Sequence, residues 1–362
     1  MHVAQVAPLY ESIPPKLYGG TERVVSYLTE ELVRQGHEVT LFASADSKSR
    51  ARLHPVCKRS LRLEGENVTD PIAFHMRMLA MVARHAQEFD IIHYHTGYIH
   101  FPSTSLQDAA AVTTMHGRLD LPEVIDLIDE FSDLNLVSIS NSQRQPLAWV
   151  NWVATVHHGL PEDLYQPSLR PGNYLAFLGR ISPEKRVDRA IEIARRAGIP
   201  LKIAAKVDPA DQDYFDTKIK ALFSDPIVEY VGEIGEADKS DFLGNAWALL
   251  FPIDWPEPFG LVMIEAMACG TPVVAYRLAS VPEILEDGQT GFLVNSIEQA
   301  VEAVQRAGSI DREVCRRTFE RRFSVKRMCL DYVRVYTRVI AEHSTRVEKA
   351  PLAGANIAGR IY

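Results

Sequence analysis

The chain alternates short apolar runs with longer amphipathic segments, and this alternation constrains its fold more than any other feature of the sequence. Continuous apolar runs are typical of parallel strands buried on both faces, and amphipathic segments are typical of the helices that cover such sheets. The runs fall into two series. The first predicts strands at 2–7, 38–43, 90–94, 110–115, 136–139 and 153–157, and the second at 174–178, 201–205, 228–231, 248–251, 272–275 and 291–293.

The segment 159–172 separates the two series and carries three prolines and two glycines. This composition ends regular elements and joins domains. We therefore predict two α/β domains, 1–165 and 166–323. A helix predicted at about 324–343 is expected to pack back on the first domain, and the aperiodic tail 344–362 is expected to be mobile.

Composition narrows the class of protein. The chain has 362 residues and 46% apolar residues, which suits two globular domains of ordinary size. Its net charge of −8 argues against nucleic acid as a partner. No apolar run approaches the roughly 20 residues that span a bilayer, and the four cysteines show no metal or disulfide spacing. These features predict a cytoplasmic protein without disulfides.

One stretch departs from the acidic balance, because it holds six basic residues and no acid. These residues are Lys48, Arg50, Arg52, Lys58, Arg59 and Arg62. Such a stretch is either a solvated surface or a contact for an anionic acceptor or a membrane surface, where it would give weak peripheral association.

The most informative segment is 254–275, DWPEPFGLVMIEAMACGTPVVA. A polar turn with Glu257 leads into an apolar helix opened by Phe259 and Gly260, with Glu265 about two turns inside. Helix starts present free N–H groups to anions, and ligands of parallel sheets bind at the carboxyl ends of strands. The two carboxylates are suited to hold sugar and ribose hydroxyls. The alternative makes them a turn residue and a solvated helix residue, but an unpaired carboxylate in so apolar a helix would be costly.

A second segment, FLGRISPEKRVDR at 177–189, places two cations across a turn from strand to helix. Arg180 and Lys185 at the carboxyl end of a strand suit a diphosphate leaving group. The alternative is a surface ion pair between Lys185 and Asp188.

Together with Gly19 and Gly20 in the first loop, FLGRISPEK and the E-x7-E pattern of Glu257 and Glu265 make the chain resemble glycosyltransferase family 4. The resemblance covers nearly the whole chain. It implies the GT-B architecture, in which two Rossmann-like domains with parallel sheets face an interdomain cleft. It also implies a retaining hexosyltransferase that needs no metal or other cofactor. The first domain would bind the acceptor and the second the nucleotide sugar.

The substrates implied by the resemblance are broad. The donor would be a nucleoside diphosphate sugar of the UDP-glucose or GDP-mannose type. The acceptor would be a hydroxyl on a growing glycan, a lipid-linked sugar or a small molecule, as in polysaccharide biosynthesis.

The resemblance also implies residue roles. Glu257 would contact sugar hydroxyls, Glu265 the ribose, and Arg180 with Lys185 the diphosphate. The remaining donor contacts would come from the amides of Phe259, Gly260, Leu261 and Val262, from Gly19 and Gly20 on the opposite lip, and from His116 against an outer sugar hydroxyl. From the positions of strand ends we expect the base near Ile234 and Lys206.

Two patterns suggest metal sites. Asp211-Gln212-Asp213 spells D-x-D, but it follows Pro209 at a predicted helix start, where acids are common caps. His93 and His95 face one side of a strand and His100 follows, yet no further ligand has suitable spacing. We therefore expect these histidines to line the cleft or to have a role on the acceptor side, and we predict no metal site.

Rival functions differ in what they require. A nicotinamide-dependent oxidoreductase needs G-x-G-x-x-G after the first strand, and the loop here reads APLYESIPPKLYGGTE. Two alternatives on the same fold stay open: a nucleotide-sugar sensor without transfer activity, and a nucleotide-sugar epimerase.

Overall fold

The computed structural model describes residues 1–16, 19–64 and 68–349. Two parallel sheets form its framework, which confirms the predicted α/β class. The first sheet has the order β3-β2-β1-β4-β5-β6-β7. Its strands are β1 (His2–Val6), β2 (Glu38–Ala43), β3 (Arg52–Pro55), β4 (Ile91–Tyr94), β5 (Ala111–Thr114), β6 (Leu136–Ser138) and β7 (Trp152–Thr155).

The second sheet has the order β10-β9-β8-β11-β12-β13, and its neighbouring strands are parallel as well. Its strands are β8 (Tyr174–Arg180), β9 (Leu201–Lys206), β10 (Val228–Gly232), β11 (Ala246–Phe251), β12 (Val273–Tyr276) and β13 (Gly291–Val294). Each predicted strand of the second series overlaps one of these.

Strand β3 was not predicted. It lies inside the basic stretch and pairs with β2 from Thr40 and Arg52 onward. Its sequence, RLHP, has none of the apolar continuity of a buried strand, because it forms the edge of the sheet and is covered on fewer sides.

Helices cover both sheets. In chain order they are α1 (Gly20–Arg34), α2 (Leu61–Glu64), α3 (Pro71–His85), α4 (Phe101–Thr104), α5 (Pro122–Glu130), α6 (Asn141–Arg144), α7 (Val187–Ala197), α8 (Gln212–Tyr214), α9 (Glu236–Gly244), α10 (Leu261–Ala268), α11 (Val281–Ile284), α12 (Ile297–Arg306), α13 (Arg312–Phe323) and α14 (Val325–Lys349). Within the described ranges, no helix is long and apolar enough to cross a bilayer.

The described residues form five apolar clusters: four fill the layers between helices and sheets, and a fifth joins α4 and α5 to Leu136 of β6. On the first sheet, α1 and α14 pack on one face and α3 on the other. On the second sheet, α9, α10 and α13 pack on one face, and α7 and α12 on the other. Tyr27 and Leu261 contact the cores of both sheets, so the two cores meet beside α1 and α10.

Helix α14 follows the second sheet in sequence but packs on the first sheet. Its buried Met328, Tyr332, Tyr336 and Val339 lie against α1 and the strands. The helix continues to Lys349, past its predicted end near 343, so residues 344–349 of the predicted tail are helical. Residues 350–362 of that tail lie outside the described part of the chain.

The chain passes between the sheets twice, and the two passages touch. Leu160 donates its N–H to Phe323 at 2.9 Å, and Val325 donates to Leu160 at 2.8 Å. The guanidinium of Arg327 also donates to the carbonyls of His157 and His158, at 2.7 and 3.0 Å. These bonds join the two connections into one crossing.

Gly159 is the residue that permits this close approach. A Cβ added there would lie 2.4 Å from the carbonyl oxygen of Ser324, inside van der Waals contact with main chain. Gly159→Ala should therefore lower the free energy of unfolding by about 1–3 kcal/mol or more. Thermal and denaturant midpoints measure this. Gly179→Ala is the matched control, since its Cβ would meet nothing within 4 Å. Equal midpoints for the two variants would contradict this account of the crossing.

Candidate active site

A cleft of about 430 Å³ lies between the two sheets, within the usual range for small-molecule sites of about 300–1,000 Å³. Strands β8, β9 and β11 end in its wall at Arg180, Lys206 and Phe251. Every residue predicted to contact the donor lines it. From the first domain these are Gly19, Gly20 and His116, and from the second Arg180, Lys185, Lys206, Ile234, Glu257, Phe259, Gly260, Leu261, Val262 and Glu265.

The start of α10 opens into this cleft through a turn that requires glycine. Gly260 has a φ of 84°, and a Cβ there would lie 2.7 Å from Met263 Cε. The preceding peptides are fixed by two hydroxyls. Ser280 donates to the Phe259 carbonyl at 3.1 Å, and Ser140 of the first domain donates to the Pro258 carbonyl at 2.8 Å. The free N–H groups of a helix start are thus held toward the cleft.

Glu257 is held by two donors. The ammonium of Lys185 pairs with its Oε2, and the indole Nε1 of Trp255 donates to the same oxygen at 2.9 Å. Lys185 also lies 4.7 Å from the centroid of the Trp255 ring. The alternative pairing of Lys185 with Asp188 is wrong, because Asp188 binds the guanidinium of Arg186 at 2.8 Å. The turn therefore presents a cation and a carboxylate side by side.

Arg180 lies among three carboxylates. Glu184 accepts from it at 2.5 Å, and Asp208 and Asp211 lie 3.5 and 3.6 Å from it. Asp208 also pairs with Lys206 at 2.7 Å. Asp211 belongs to the D-x-D pattern and stands at the start of α8, as predicted, but its side chain makes no capping hydrogen bond there and faces Arg180 instead. In the described residues, no group of three or more His, Cys, Asp or Glu side chains is placed to hold a metal ion.

Glu265 is 3% exposed and is not a solvated helix residue. Lys239 of α9 pairs with it at 2.7 Å, and the hydroxyl of Tyr165 lies 3.5 Å away. Burial lowers the pKa of Lys239 from its ordinary value. The ion pair with Lys239 therefore offsets the desolvation cost of burying the Glu265 carboxylate in an apolar helix. The sequence alone did not show what offsets this cost.

The opposite lip of the cleft is the start of α1. Gly19 has a φ of 152°, and a Cβ there would lie 2.8 Å from Pro15. Gly20 faces the second domain, since its Cβ would lie 3.4 Å from Leu261 Cδ1. One turn later, Arg23 forms an ion pair with Glu236 of α9 across the interface. The backbone of the first domain therefore approaches the start of α10 directly.

His116 enters the cleft from the carboxyl end of β5. Its Nε2 lies 2.9 Å from Nδ1 of His95, and Nε2 of His95 lies 2.7 Å from Oε1 of Gln5. Burial lowers the pKa of His116 to about 3, so the ring is neutral near pH 7. The ring of His158 stacks on it at 5.3 Å.

The expectation that His93, His95 and His100 line the cleft is wrong. They are 0%, 2% and 0% exposed, in the interior of the first domain. His93 bonds to Tyr336 of α14 and to Thr114, both at 2.7 Å. The strand side on which His93 and His95 lie is covered by α14, which the histidine spacing does not reveal.

The basic stretch reaches the cleft at one residue. Arg62 lines the cleft and pairs with Glu11 at 2.9 Å. Arg50 pairs with Glu30 at 2.7 Å, and the other members, Lys48, Arg52, Lys58 and Arg59, are exposed. Contact of this stretch with an acceptor or a membrane stays a prediction.

Among the lining residues that sequence reasoning missed are Arg23, His158, Lys239 and Trp255. Two of them carried a signal. Trp255 stands two residues before Glu257, and His158 follows the end of β7 as His116 follows β5. Arg23 and Lys239 carried none, because their partners lie on other elements.

Comparisons with known proteins fit this geometry. The model for glycosyl transferases group 1 matches residues 166–320, and the model for glycosyltransferase family 4 matches residues 18–150. The chain belongs to glycosyltransferase family 4. The two matches divide between the two sheets of this family 4 glycosyltransferase and together span most of its length.

The relatives of this glycosyltransferase include enzymes named for different substrates. It is 27% identical to D-inositol 3-phosphate glycosyltransferase of Mycolicibacterium smegmatis, over 76% of the chain and 75% of that protein. It is 25% identical to N-acetyl-alpha-D-glucosaminyl L-malate synthase of Bacillus anthracis, over 76% and 80%. The structure of Anabaena HepE in complex with UDP and glucose shares its fold, with a TM-score of 0.72, 18% identity and coverage of 93% and 100%. The fold is GT-B, as predicted.

Buried neutral histidines should make the first domain sensitive to acid. Burial holds the pKa values of His93, His95 and His158 well below 6.5 and those of His100 and His116 near 3. Below about pH 6.5 the unfolded chain binds protons that the folded chain does not. The free energy of unfolding should therefore fall as pH decreases from about 6.5 toward 3, by up to about 1.4 kcal/mol per pH unit for each histidine.

Denaturant unfolding between pH 7.5 and 4.5 measures this slope. His100→Gln can keep the bond to Thr113, which is 2.8 Å long, but cannot take up the proton. The variant should therefore reduce the slope of the unfolding free energy against pH by the contribution of one proton, up to about 1.4 kcal/mol per pH unit. An unchanged slope in this variant would show that His100 does not contribute to the acid response.

Proposed function

We propose that the chain transfers a hexose from a nucleoside diphosphate sugar to a hydroxyl acceptor, with retention of anomeric configuration and without a metal. One observation carries the proposal. Two basic side chains, the start of α10 and two carboxylates converge on a single cleft between the domains. These groups are Arg180, Lys185, Gly260, Glu257 and Glu265.

The cations and the helix start are suited to a diphosphate. Charged hydrogen bonds from guanidinium and ammonium groups to phosphate are strong, and the α10 amides add fixed dipoles. In the structure Lys185 pairs with Glu257. When a phosphate takes over Lys185, Glu257 is left to accept hydrogen bonds from the hexose hydroxyls. Exchange of partners thus couples binding of the diphosphate to binding of the sugar.

The other contacts follow from position. Glu265 receives the ribose hydroxyls and His116 an outer hydroxyl of the hexose, while Ile234 and Lys206 flank the base. Gly19 and Gly20 bring main-chain groups to the diphosphate from the first domain. UDP-glucose and GDP-mannose are the leading donors, and the presence of UDP and glucose in HepE supports this class. The acceptor is a glycan, a lipid-linked sugar or a small molecule.

In the proposed reaction the bond from the anomeric carbon to the β-phosphate oxygen breaks. The acceptor oxygen bonds to that carbon on the same face, and its proton passes to the departing phosphate. Arg180 and Lys185 neutralise the charge that develops on this phosphate. The cleft excludes water that would otherwise hydrolyse the donor.

Removing either cation tests this account. Arg180→Ala and Lys185→Ala should each lower the kcat/KM for transfer by about 10²- to 10³-fold, because each removes a group that stabilises the leaving charge. Lys202→Ala is the matched control, since Lys202 pairs with Glu229 away from the cleft. Near-normal transfer rates in folded Arg180→Ala and Lys185→Ala would refute the leaving-group role.

Product analysis with UDP-glucose and GDP-mannose separates the alternatives. Transfer with an unchanged anomeric configuration in the proton NMR spectrum, undiminished by EDTA, is the expected result. A changed free sugar or nucleotide sugar would identify an epimerase. Nucleotide-sugar binding without donor hydrolysis or transfer would identify a sensor.

A further inference from the structure

A second cavity, of about 800 Å³, adjoins the active-site cleft, and we call it the lateral groove. It is lined by Arg118, Glu184, Arg186, Tyr214, Asp254 and Trp255, among others. Trp255 lines both cavities. The two cavities are also lined by residues that are close in the chain. Glu184 and Arg186 of the lateral groove flank Lys185 of the cleft, and Arg118 of the groove lies two residues after His116. The lateral groove therefore opens beside the position proposed for the donor hexose.

The lateral groove spans the domain interface. Arg118 comes from the first domain, and the other lining residues come from the second. The lateral groove therefore lies mainly on the second domain, although the first domain was expected to bind the acceptor. An acceptor must reach the anomeric carbon of a donor held mainly by the second domain while the first domain closes over it. A ligand in the lateral groove would meet this requirement.

Two aromatic rings lie in the lateral groove, Trp255 and Tyr214. Aromatic faces carry partial negative charge and pack against the C–H faces of pyranose rings. The indole N–H of Trp255 is already bound to Glu257, which fixes the ring at the junction of the two cavities. Tyr214 is half-buried against the core of the second domain and lines the lateral groove but not the cleft, so the exposed part of its ring can contact a sugar unit beyond the reaction centre.

The charges along the lateral groove balance. Its basic residues are Arg118, Arg186 and Lys218, and its acidic residues are Glu184, Asp188 and Asp254. An anionic ligand is favoured by an excess of positive charge, which is absent from this lining. Balanced donors and acceptors beside aromatic rings suit a neutral ligand with many hydroxyls.

The polar groups are also fixed before a ligand arrives. Asp188 and Asp254 both hold the guanidinium of Arg186 at 2.8 Å. Arg186 has a φ of 53°, a left-handed conformation that is uncommon for residues other than glycine. Asp120 holds Arg118 at 2.8 Å on the other rim. Groups fixed in this way lose little conformational freedom on binding.

We propose that the lateral groove is the acceptor subsite and that it takes a neutral oligosaccharide rather than a phosphorylated or carboxylated small molecule. This inference rests on the proposed function for its connection to transfer. Binding of the saccharide itself is a separate property and is measured separately.

The test compares Tyr214→Ala with Tyr214→Phe in the full chain. The probes are neutral trisaccharides of glucose, mannose and galactose, and D-myo-inositol 3-phosphate as the anionic comparison. Saturation-transfer NMR and calorimetry give Kd values in the presence of UDP or GDP. At least one neutral trisaccharide should bind, and Tyr214→Ala should weaken it about tenfold, while Tyr214→Phe keeps the ring and the affinity.

Nucleotide affinity should be unchanged in both variants, because Tyr214 does not line the active-site cleft. Arg118→Ala provides a second variant in case Tyr214→Ala does not fold, since Arg118 is exposed on the opposite rim. It should weaken the same trisaccharide about threefold.

The outcomes separate the two proposals. Binding of inositol 3-phosphate with no neutral trisaccharide bound overturns the inference, as does trisaccharide binding that neither variant weakens. If transfer to another acceptor is still observed, the proposed function stands without the lateral groove. Trisaccharide binding that depends on Tyr214, with no transfer from any donor, supports the saccharide site and refutes the proposed function.

Discussion

The crossing of the two interdomain connections is the constraint on which the rest of the structure depends. Leu160 and Ser324 lie side by side there, and Gly159 leaves no room for a side chain. The crossing returns α14 to the first sheet and sets the carboxyl ends of both sheets toward one cleft. Only a few peptides join the two sheets at this point. Any rotation of one domain relative to the other must therefore change the backbone angles of these peptides. The cleft is therefore a consequence of the path of the chain as well as of side-chain chemistry.

The cleft keeps its cations paired with carboxylates. Lys185 pairs with Glu257, Lys239 with Glu265, and Arg180 with Glu184. A partly buried cation without a partner would carry a large desolvation cost, and the carboxylates offset it. A diphosphate competes well for such a cation, because it offers more charge and more acceptor oxygens than one carboxylate. The displaced carboxylate then faces hydroxyls, which are the groups a sugar and a ribose present.

The second sheet and most residues that line the cleft could be predicted from the sequence, because they follow from local sequence patterns. Continuous apolar strands and a strand-to-helix turn with Gly260 depend on neighbouring residues only. The residues that escaped prediction depend on packing between distant elements. The pairs of Lys239 with Glu265 and of Arg23 with Glu236 form only once α9 lies beside α10 and α1. The spacing of His93 and His95 places them on one side of β4, but only α14, more than 200 residues later, decides that this side is buried.

Helix α14 also influences the cleft, because a chain of hydrogen bonds connects its Tyr336 to His116. Tyr336 of α14 accepts a hydrogen bond from Gln5 Nε2 at 3.1 Å, which turns the Gln5 oxygen toward His95. His95 then donates from Nε2 to Gln5 and accepts at Nδ1 from Nε2 of His116. His116 is left with a lone pair on Nδ1, which has no hydrogen-bond partner among the described residues. That atom is buried, and a neutral ring cannot compensate a phosphate charge. The network thus distinguishes His116, which carries no charge near pH 7, from Arg180 and Lys185.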